Sequence, residues 1–165
     1  MTREDGATQE VGAGGQKRGR RIAMSAAERD AFLEVERTCR VASVGASGPH
    51  VTPLWFVWDG TALWLHSLSR SRRWAELAAD PRVSVVVDAG TEYQALRGIE
   101  LTGRVEVVGE VPRTGKPVPE LVAAERQFAR KYLGSESFAS DGRHGWLRLV
   151  PEYEVSWDFR KLSGG

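Results

Sequence analysis

Asparagine is absent from this chain, lysine occurs only at positions 17, 116, 131 and 161, and cysteine occurs once. A single thiol, Cys39, permits neither an internal disulfide nor a Cys-based zinc site. It sits in an alternating strand, where a small buried hydrophobe is the expected role rather than a reactive thiolate. The basic side is nearly all arginine, which is a compositional bias and not chemistry. Formal net charge is +1, so the overall balance calls for neither nucleic acid nor a membrane surface. No apolar run approaches the roughly 20 residues that span a bilayer. The N-terminus lacks the apolar core of a signal peptide, so a cytoplasmic protein is expected. The three histidines, His50, His66 and His144, have no metal-ligand spacing, and no nucleophile stands beside a general base.

What is present fits one domain: 165 residues, 41% hydrophobic and 27% charged. Residues 1–22 are polar and Gly-rich and end in GQKRGRR, so a disordered tail is expected before a domain over 23–165. GAGG at 12–15 follows no strand and is not a dinucleotide fingerprint. Ser25-Ala-Ala-Glu28 is a capping box, opening a helix to about Arg37 that buries Ala27, Phe32 and Val35 or near neighbours. Strands are expected at Arg40–Val44, His50–Trp58, Ala62–Ser67, Arg82–Val87, Ile99–Val108, Trp146–Val150 and Tyr153–Phe159, the last two turned at Pro151-Glu152. Asp88-Ala-Gly90 breaks the fourth, and Gly103 marks a bulge in the fifth. Glu92–Arg97 reads as a loop or one helical turn. Glu120–Leu133 is an amphipathic helix closed by Gly134, burying Leu121, Phe128 and Tyr132 or Leu133. The fold class is mainly β with marginal helices (α+β), a closed antiparallel barrel of six or seven strands, which also removes exposed sheet edges.

The segment from His50 to Val83 organises the rest. Asp59-Gly60 between apolar runs signals a hairpin of the type I′ kind. Pro53 cannot donate to a ladder, which puts it at an edge, a bulge or an opening of the sheet. After the third strand come Ser67, Ser69, Arg70, Ser71, Arg72 and Arg73, then a short helix, Arg72–Ala79, with Trp74, Leu77 and Ala78 facing the sheet. Hydroxyls, guanidinium groups and unpaired helix N–H groups meet at one place, which suits a phosphate. Arginines in a first helical turn oppose the helix dipole, which is easier to understand with an anion among them than as a solvated face. His66 ends the third strand beside this loop, either as a half-exposed imidazole or as a ligand contact. At the C-terminus, Ser156-Trp-Asp-Phe-Arg-Lys-Leu162 alternates aromatic and charged residues, as core or as an edge beside a planar ligand.

The order strand, Asp-Gly turn, strand, Ser-x-Ser-Arg-Ser-Arg-Arg-x-x-x-Leu-x-x-Asp-Pro-Arg-Val-Ser-Val resembles the flavin-binding split β-barrel of the pyridoxamine 5′-phosphate oxidase superfamily. Tyr93-Gln-Ala-Leu-Arg-Gly and the ending Ser-Trp-Asp-Phe-Arg-Lys-Leu are similar to the branch that includes actinobacterial reductases dependent on the deazaflavin coenzyme F-420. The resemblance covers about residues 25–162. It implies that Arg70, Ser71, Arg72 and Arg73 hold a cofactor phosphate, Arg73 standing where Lys is common. His66 and Ser67 match the strand end that lines the phosphate and ribityl chain. Pro53, Leu54 and Trp55 match the strand along the ring system. It further implies a homodimer with the cofactor between subunits, where Trp157, Asp158, Arg160 and Lys161 reach the partner's cofactor.

The Arg-Leu-x-Pro ending of true pyridoxamine phosphate oxidases is missing, which argues against vitamin B6 oxidation. The expected activity is hydride transfer from coenzyme F-420 to a small conjugated organic substrate, with no side chain assigned to the hydride step. FMN in the same fold is the alternative cofactor. Other readings are a carrier of flavin, deazaflavin or haem without turnover, and a ligand-free interaction barrel.

Overall fold

A computed structural model describes residue 16 and residues 19–163. The chain runs α1 (Ala26–Val35), β1 (Thr38–Gly45), β2 (Gly48–Trp58), β3 (Leu63–Leu68), α2 (Arg72–Ala79), β4 (Arg82–Ala89), β5 (Arg97–Val108), α3 (Val122–Phe128) and β6 (His144–Asp158). The strands close an antiparallel barrel in the order β1-β2-β3-β6-β5-β4, with β4 returning to β1 through Arg40–Ala42. The expected barrel is therefore present, with six strands. No helix among the described residues is long and apolar enough to cross a membrane.

Alternation along the strands builds two apolar layers. Val41, Phe56, Leu65, Val85, Leu101 and Leu149 fill the barrel. Val57, Trp64 and Trp146 face outward and are roofed by Leu121, Ala124 and Phe128 at the start and along α3. Cys39 is fully buried in the first layer, and burial pushes its thiol up to about 12. The capping box of α1 forms as expected, with Glu28 N donating to Ser25 Oγ at 3.2 Å and Ser25 N to a Glu28 oxygen at 2.6 Å.

Several expectations need correction. β6 is one continuous strand through Pro151, where two strands and a turn were expected. Thr102 pairs with Tyr153 and Gly103 with Pro151, so Glu152 is an extra residue on β6. The bulge at Gly103 leaves Glu152 as the unpaired residue, so the strand passes Pro151 and Glu152 without a turn. Asp59-Gly60 joins a hairpin, but only Gly60 has positive φ (95°), so the turn is not type I′. The Asp59 side chain shapes it instead, accepting from Thr61 N and Ala62 N at 2.8 and 2.7 Å. β4 runs through Ala89 before Gly90 ends it at φ 96°. Val35 is 69% exposed at the helix end, and Leu33 is buried in its place. Ala78 and Leu133 are also exposed, while Glu76 takes the inward position on α2. The helix expected over Glu120–Leu133 is tripartite: a 3-10 turn at Pro119–Leu121, α3, and a π turn over Ala129–Leu133 ending at Gly134.

Of the expected tail, Arg20–Ile22 form a 3-10 turn, and Gln16 Nε2 donates to Ser156 O at 3.1 Å. The rest of the expected disorder, including GAGG, lies outside the described residues.

β2 and β3 pair only at Phe56–Trp58 with Leu63–Leu65. Beyond that the strands part, and residues 48–55 of β2 have β1 as their sole ladder partner. Pro53 lies in this opening, opposite Arg40. Of its three expected placements, the edge and the opening coincide here.

Candidate functional site

The reversal between β3 and α2 is built from local hydrogen bonds. Ser71 caps α2, accepting from Trp74 N at 3.1 Å, and its own N–H bonds Leu68 O at 3.1 Å. Ser69 reaches across to Arg143 O through its N–H at 3.0 Å and its hydroxyl at 2.9 Å. These bonds set the start of α2 over the end of the barrel.

The three arginines then take different paths. Arg73 turns inward and is 7% exposed. Its Nε and Nη2 donate to Ser67 Oγ at 3.3 and 3.1 Å, and Nη1 bonds Thr52 Oγ1 on the other side of the split. No carboxylate pairs with it among the described residues, and burial pulls its pKa down. A buried guanidinium held only by hydroxyls keeps most of its charge uncompensated, which is costly unless an anion joins it. Arg72 points outward and is spoken for, donating to Glu76 Oε1 at 2.6 Å. Arg70 is exposed and lines a cleft of about 550 Å³ with Ser69, Ser71, Pro112, Gly142 and Arg143. The three arginines thus present one buried, one paired and one exposed cation rather than three equivalent ones.

Glu76 organises the barrel end beneath them. It accepts from Ser43 Oγ at 2.6 Å and lies 2.9 Å from His50 Nδ1, in addition to Arg72. The Ser43 hydroxyl leads in holding its carboxyl down at about 2, with Arg72 and His50 adding to it against the opposing effect of burial.

On β3, neighbours face opposite ways. Ser67 points into the barrel with Arg73, whereas His66 points out beneath α3. Its ring stacks on His144 at 4.5 Å and meets Phe128 and Phe138 edge-on at 4.9 and 5.4 Å. So His66 and Ser67, expected side by side, serve different surroundings. Leu54, Trp55, His66, Phe128, Phe138 and His144 line a cavity of about 520 Å³ at the split. Trp55 is 45% exposed and stacks on Tyr132 at 4.5 Å and 11°. The Tyr132 hydroxyl accepts from Phe56 N at 3.1 Å and has two carbonyls in reach, Phe56 O at 2.6 Å and Arg37 O at 2.8 Å. It thereby satisfies backbone groups at the point where the strands part.

The C-terminal residues lie elsewhere in the single chain. Trp157 lies over Gly98, where an added Cβ would come within 2.5 Å of the indole, and lines a groove with Arg40, Ala42, Val51 and Arg97. Asp158 is buried and pairs with Arg160, whose Nε donates at 2.8 Å. Lys161 donates to Ala23 O and Glu28, each at 2.7 Å. None of the four shares a hydrogen bond with the Arg73 group among the described residues.

Thr52, Glu76, Tyr132, Asp141 and His144 were not singled out by sequence reasoning as site residues. Tyr132 carried a signal, since it follows Phe128 by four positions on a helix and so shares its face.

A model of the pyridoxamine 5′-phosphate oxidase family matches residues 25–157. No curated protein matches the chain. Among solved structures, a conserved hypothetical protein, Rv2991 from Mycobacterium tuberculosis, is 31% identical, with TM-score 0.73, over 89% of this chain and 92% of that one. A FAD-binding protein from Mesorhizobium loti is similar at 21% identity and TM-score 0.62, over 81% and 93%. An F420 reductase is similar at 22% identity and TM-score 0.57, over 76% and 94%. The last two likenesses are of fold. The family match along most of the barrel, together with the 31% identity to Rv2991, makes this chain a member of the pyridoxamine 5′-phosphate oxidase family.

Proposed function

We propose that this protein is an oxidoreductase that binds coenzyme F-420 at the split and passes hydride to a small conjugated organic molecule. The observation that carries the reading is Arg73, a buried cation at the start of a helix with hydroxyl partners and, among the described residues, no carboxylate. A phosphate at this place would meet Arg73, the open Arg70 and the first N–H groups of α2. The residues present therefore fit a phosphate-bearing cofactor. When bound, such a cofactor supplies the hydride chemistry. The chain's own part is to anchor, orient and exclude water. Arg73 anchors, and the backbone of Pro53–Trp55, which pairs with β1 and not with β3, lines the opening. Trp55 and Tyr132 stack beside the split and supply it with an aromatic wall.

The proposal includes a homodimer. Val44, Val51, Tyr153 and Val155 are apolar and 42–62% exposed on the outer barrel face, a surface suited to a second copy. In that assembly Trp157, Arg160 and Lys161 would face the partner's cofactor, with the buried Asp158 holding Arg160 in place.

Titration of the purified protein with coenzyme F-420 and, separately, FMN, followed by fluorescence, tests the reading. Micromolar or tighter binding of F-420 with weaker FMN supports it. Preference for FMN assigns the same site to a flavin enzyme or carrier. Binding of neither overturns the cofactor reading. Sedimentation tests the dimer independently.

A further inference from the structure

β3 stops at Leu63, opposite Leu149. From Val150 onward β6 therefore has β5 on one side and, among the described residues, no strand on the other. One side chain fills part of that gap. Gln16 Oε1 accepts from Ser156 N at 3.0 Å, and Gln16 Nε2 donates to Ser156 O at 3.1 Å. The amide acts as a ladder partner one residue long, taking both backbone groups of a residue 140 positions away. Met24 N adds a bond to the Ser156 hydroxyl at 2.9 Å, and Ser156 is buried.

The local chain is shaped to deliver that amide. Gly19 has φ 67°, and the 3-10 turn it opens, Arg20–Ile22, folds back with Ile22 N donating to Gly19 O at 3.0 Å. Arg20 Nε donates to Gln16 O at 3.0 Å, and a Cβ on Gly19 would lie 3.3 Å from Gln16 Nε2. Met24 packs against the barrel core, and Ser25 then caps α1. Farther along the chain, Lys161 Nζ donates to Ala23 O at 2.7 Å. Gln16 and residues 19–24 thus form a strap fastened on both sides of residues 157–160, at Ser156 and at Lys161. Within that span Trp157 lines the groove it shares with Arg97, and Arg160 is exposed.

We propose that this strap is a positioning device with Gln16 as its clasp: by holding the stretch at Ser156 it sets where Trp157 and Arg160 stand, and so how tightly a second copy's cofactor is held. The ligand in this inference rests on the reading above, whereas the clasp itself does not. The chemistry of the clasp is specific to an amide. Gln16→Glu has no donor and sets an acceptor against Ser156 O, and Gln16→Ala takes a partner from both backbone groups. Gln16 acts only through the stretch it holds, which makes it a positioning residue rather than a catalytic one.

The test uses the full chain, its Gln16→Ala and Gln16→Glu variants, and coenzyme F-420 and FMN as probes. Hydrogen exchange without cofactor reads the clasp. Amides of residues 157–161 should exchange roughly threefold to tenfold faster in both variants, the worth of one lost neutral hydrogen bond, while those of β3 stay as in the wild type. Fluorescence titration should show cofactor affinity falling by about the same factor. In a Trp157→Ala, Arg160→Ala background, Gln16→Ala should cause no further loss of affinity, which a role in stability alone would not produce. Unchanged exchange at residues 157–161, unchanged affinity in both variants, or an equal loss in that background overturns the proposal. A wild type that binds neither probe fails the cofactor reading, and the exchange result alone then decides the clasp.

Discussion

Arg73 on α2 spans the opening between β3 and β2, bonded to Ser67 on one strand and Thr52 on the other. One side chain thus bridges the two strands where their ladder has stopped. Its charge and its reach are both used, so the two can be separated by substitution.

Arg73→Lys keeps the charge and loses the planar fork. Binding of a phosphate-bearing cofactor should weaken roughly tenfold to hundredfold, as expected when charge-assisted hydrogen bonds are lost. Thermal stability should fall as well, because Ser67 and Thr52 lose a shared partner. A fluorescence titration beside a melting curve reads both, and unchanged affinity would remove Arg73 from the site.

Tyr132→Phe keeps the ring over Trp55 and removes the hydroxyl from the Phe56 backbone. The loss should be about 1–3 kcal/mol, the cost of leaving buried polar groups unpaired. The Phe56 amide should exchange with deuterium faster in the variant, and its neighbours on β2 should follow less strongly.

Glu76 gives a pH dependence of defined sign. Its pKa falls from 4.5 in the unfolded chain to about 2 in the fold. A depressed carboxyl contributes stability that is complete above about pH 4.5 and is lost as pH falls toward 2. Glu76→Gln should therefore be less stable than wild type at pH 7, with the gap closing between pH 4.5 and 2. Urea midpoints across that range measure it, and a constant gap would contradict the assignment.

Gly98→Ala places a methyl within 2.5 Å of the Trp157 indole and 2.8 Å of Val87 O. Backbone cannot yield easily, so the indole must move. Expected are a loss of about 1–3 kcal/mol from overpacking and a changed Trp157 emission. If Trp157 faces a partner chain, dimer affinity should drop too.

Much of this fold was legible in local chemistry. Ser25 and Glu28 announced α1, the helix expected at Arg72–Ala79 is α2, and Gly103 marked the bulge. The errors came where a local signal met a long-range answer. Pro151-Glu152 reads as a turn until β5 offers a bulge that accepts both residues. Asp59-Gly60 reads as type I′ until the Asp59 carboxylate captures two backbone N–H groups. At the site, the arginine cluster was visible but not its division of labour, since Glu76 claims Arg72 only because Ser43 and His50 converge on it from two other strands. The pairing of His66 with His144 joins residues 78 positions apart by number and had no counterpart in spacing.

The parting of β2 from β3 has a cost for the molecule's behaviour at high concentration. A closed barrel offers no template for strand addition, but residues 48–55 carry backbone groups with no second ladder partner. The opening that receives a ligand is thus also a docking edge for a stray chain. Pro53 sits in the middle of that edge and cannot donate, so it acts as a gatekeeper against amyloid-like pairing. Pro53→Val should fold, yet aggregate faster on standing than the parent chain, and a ligand filling the gap should slow it.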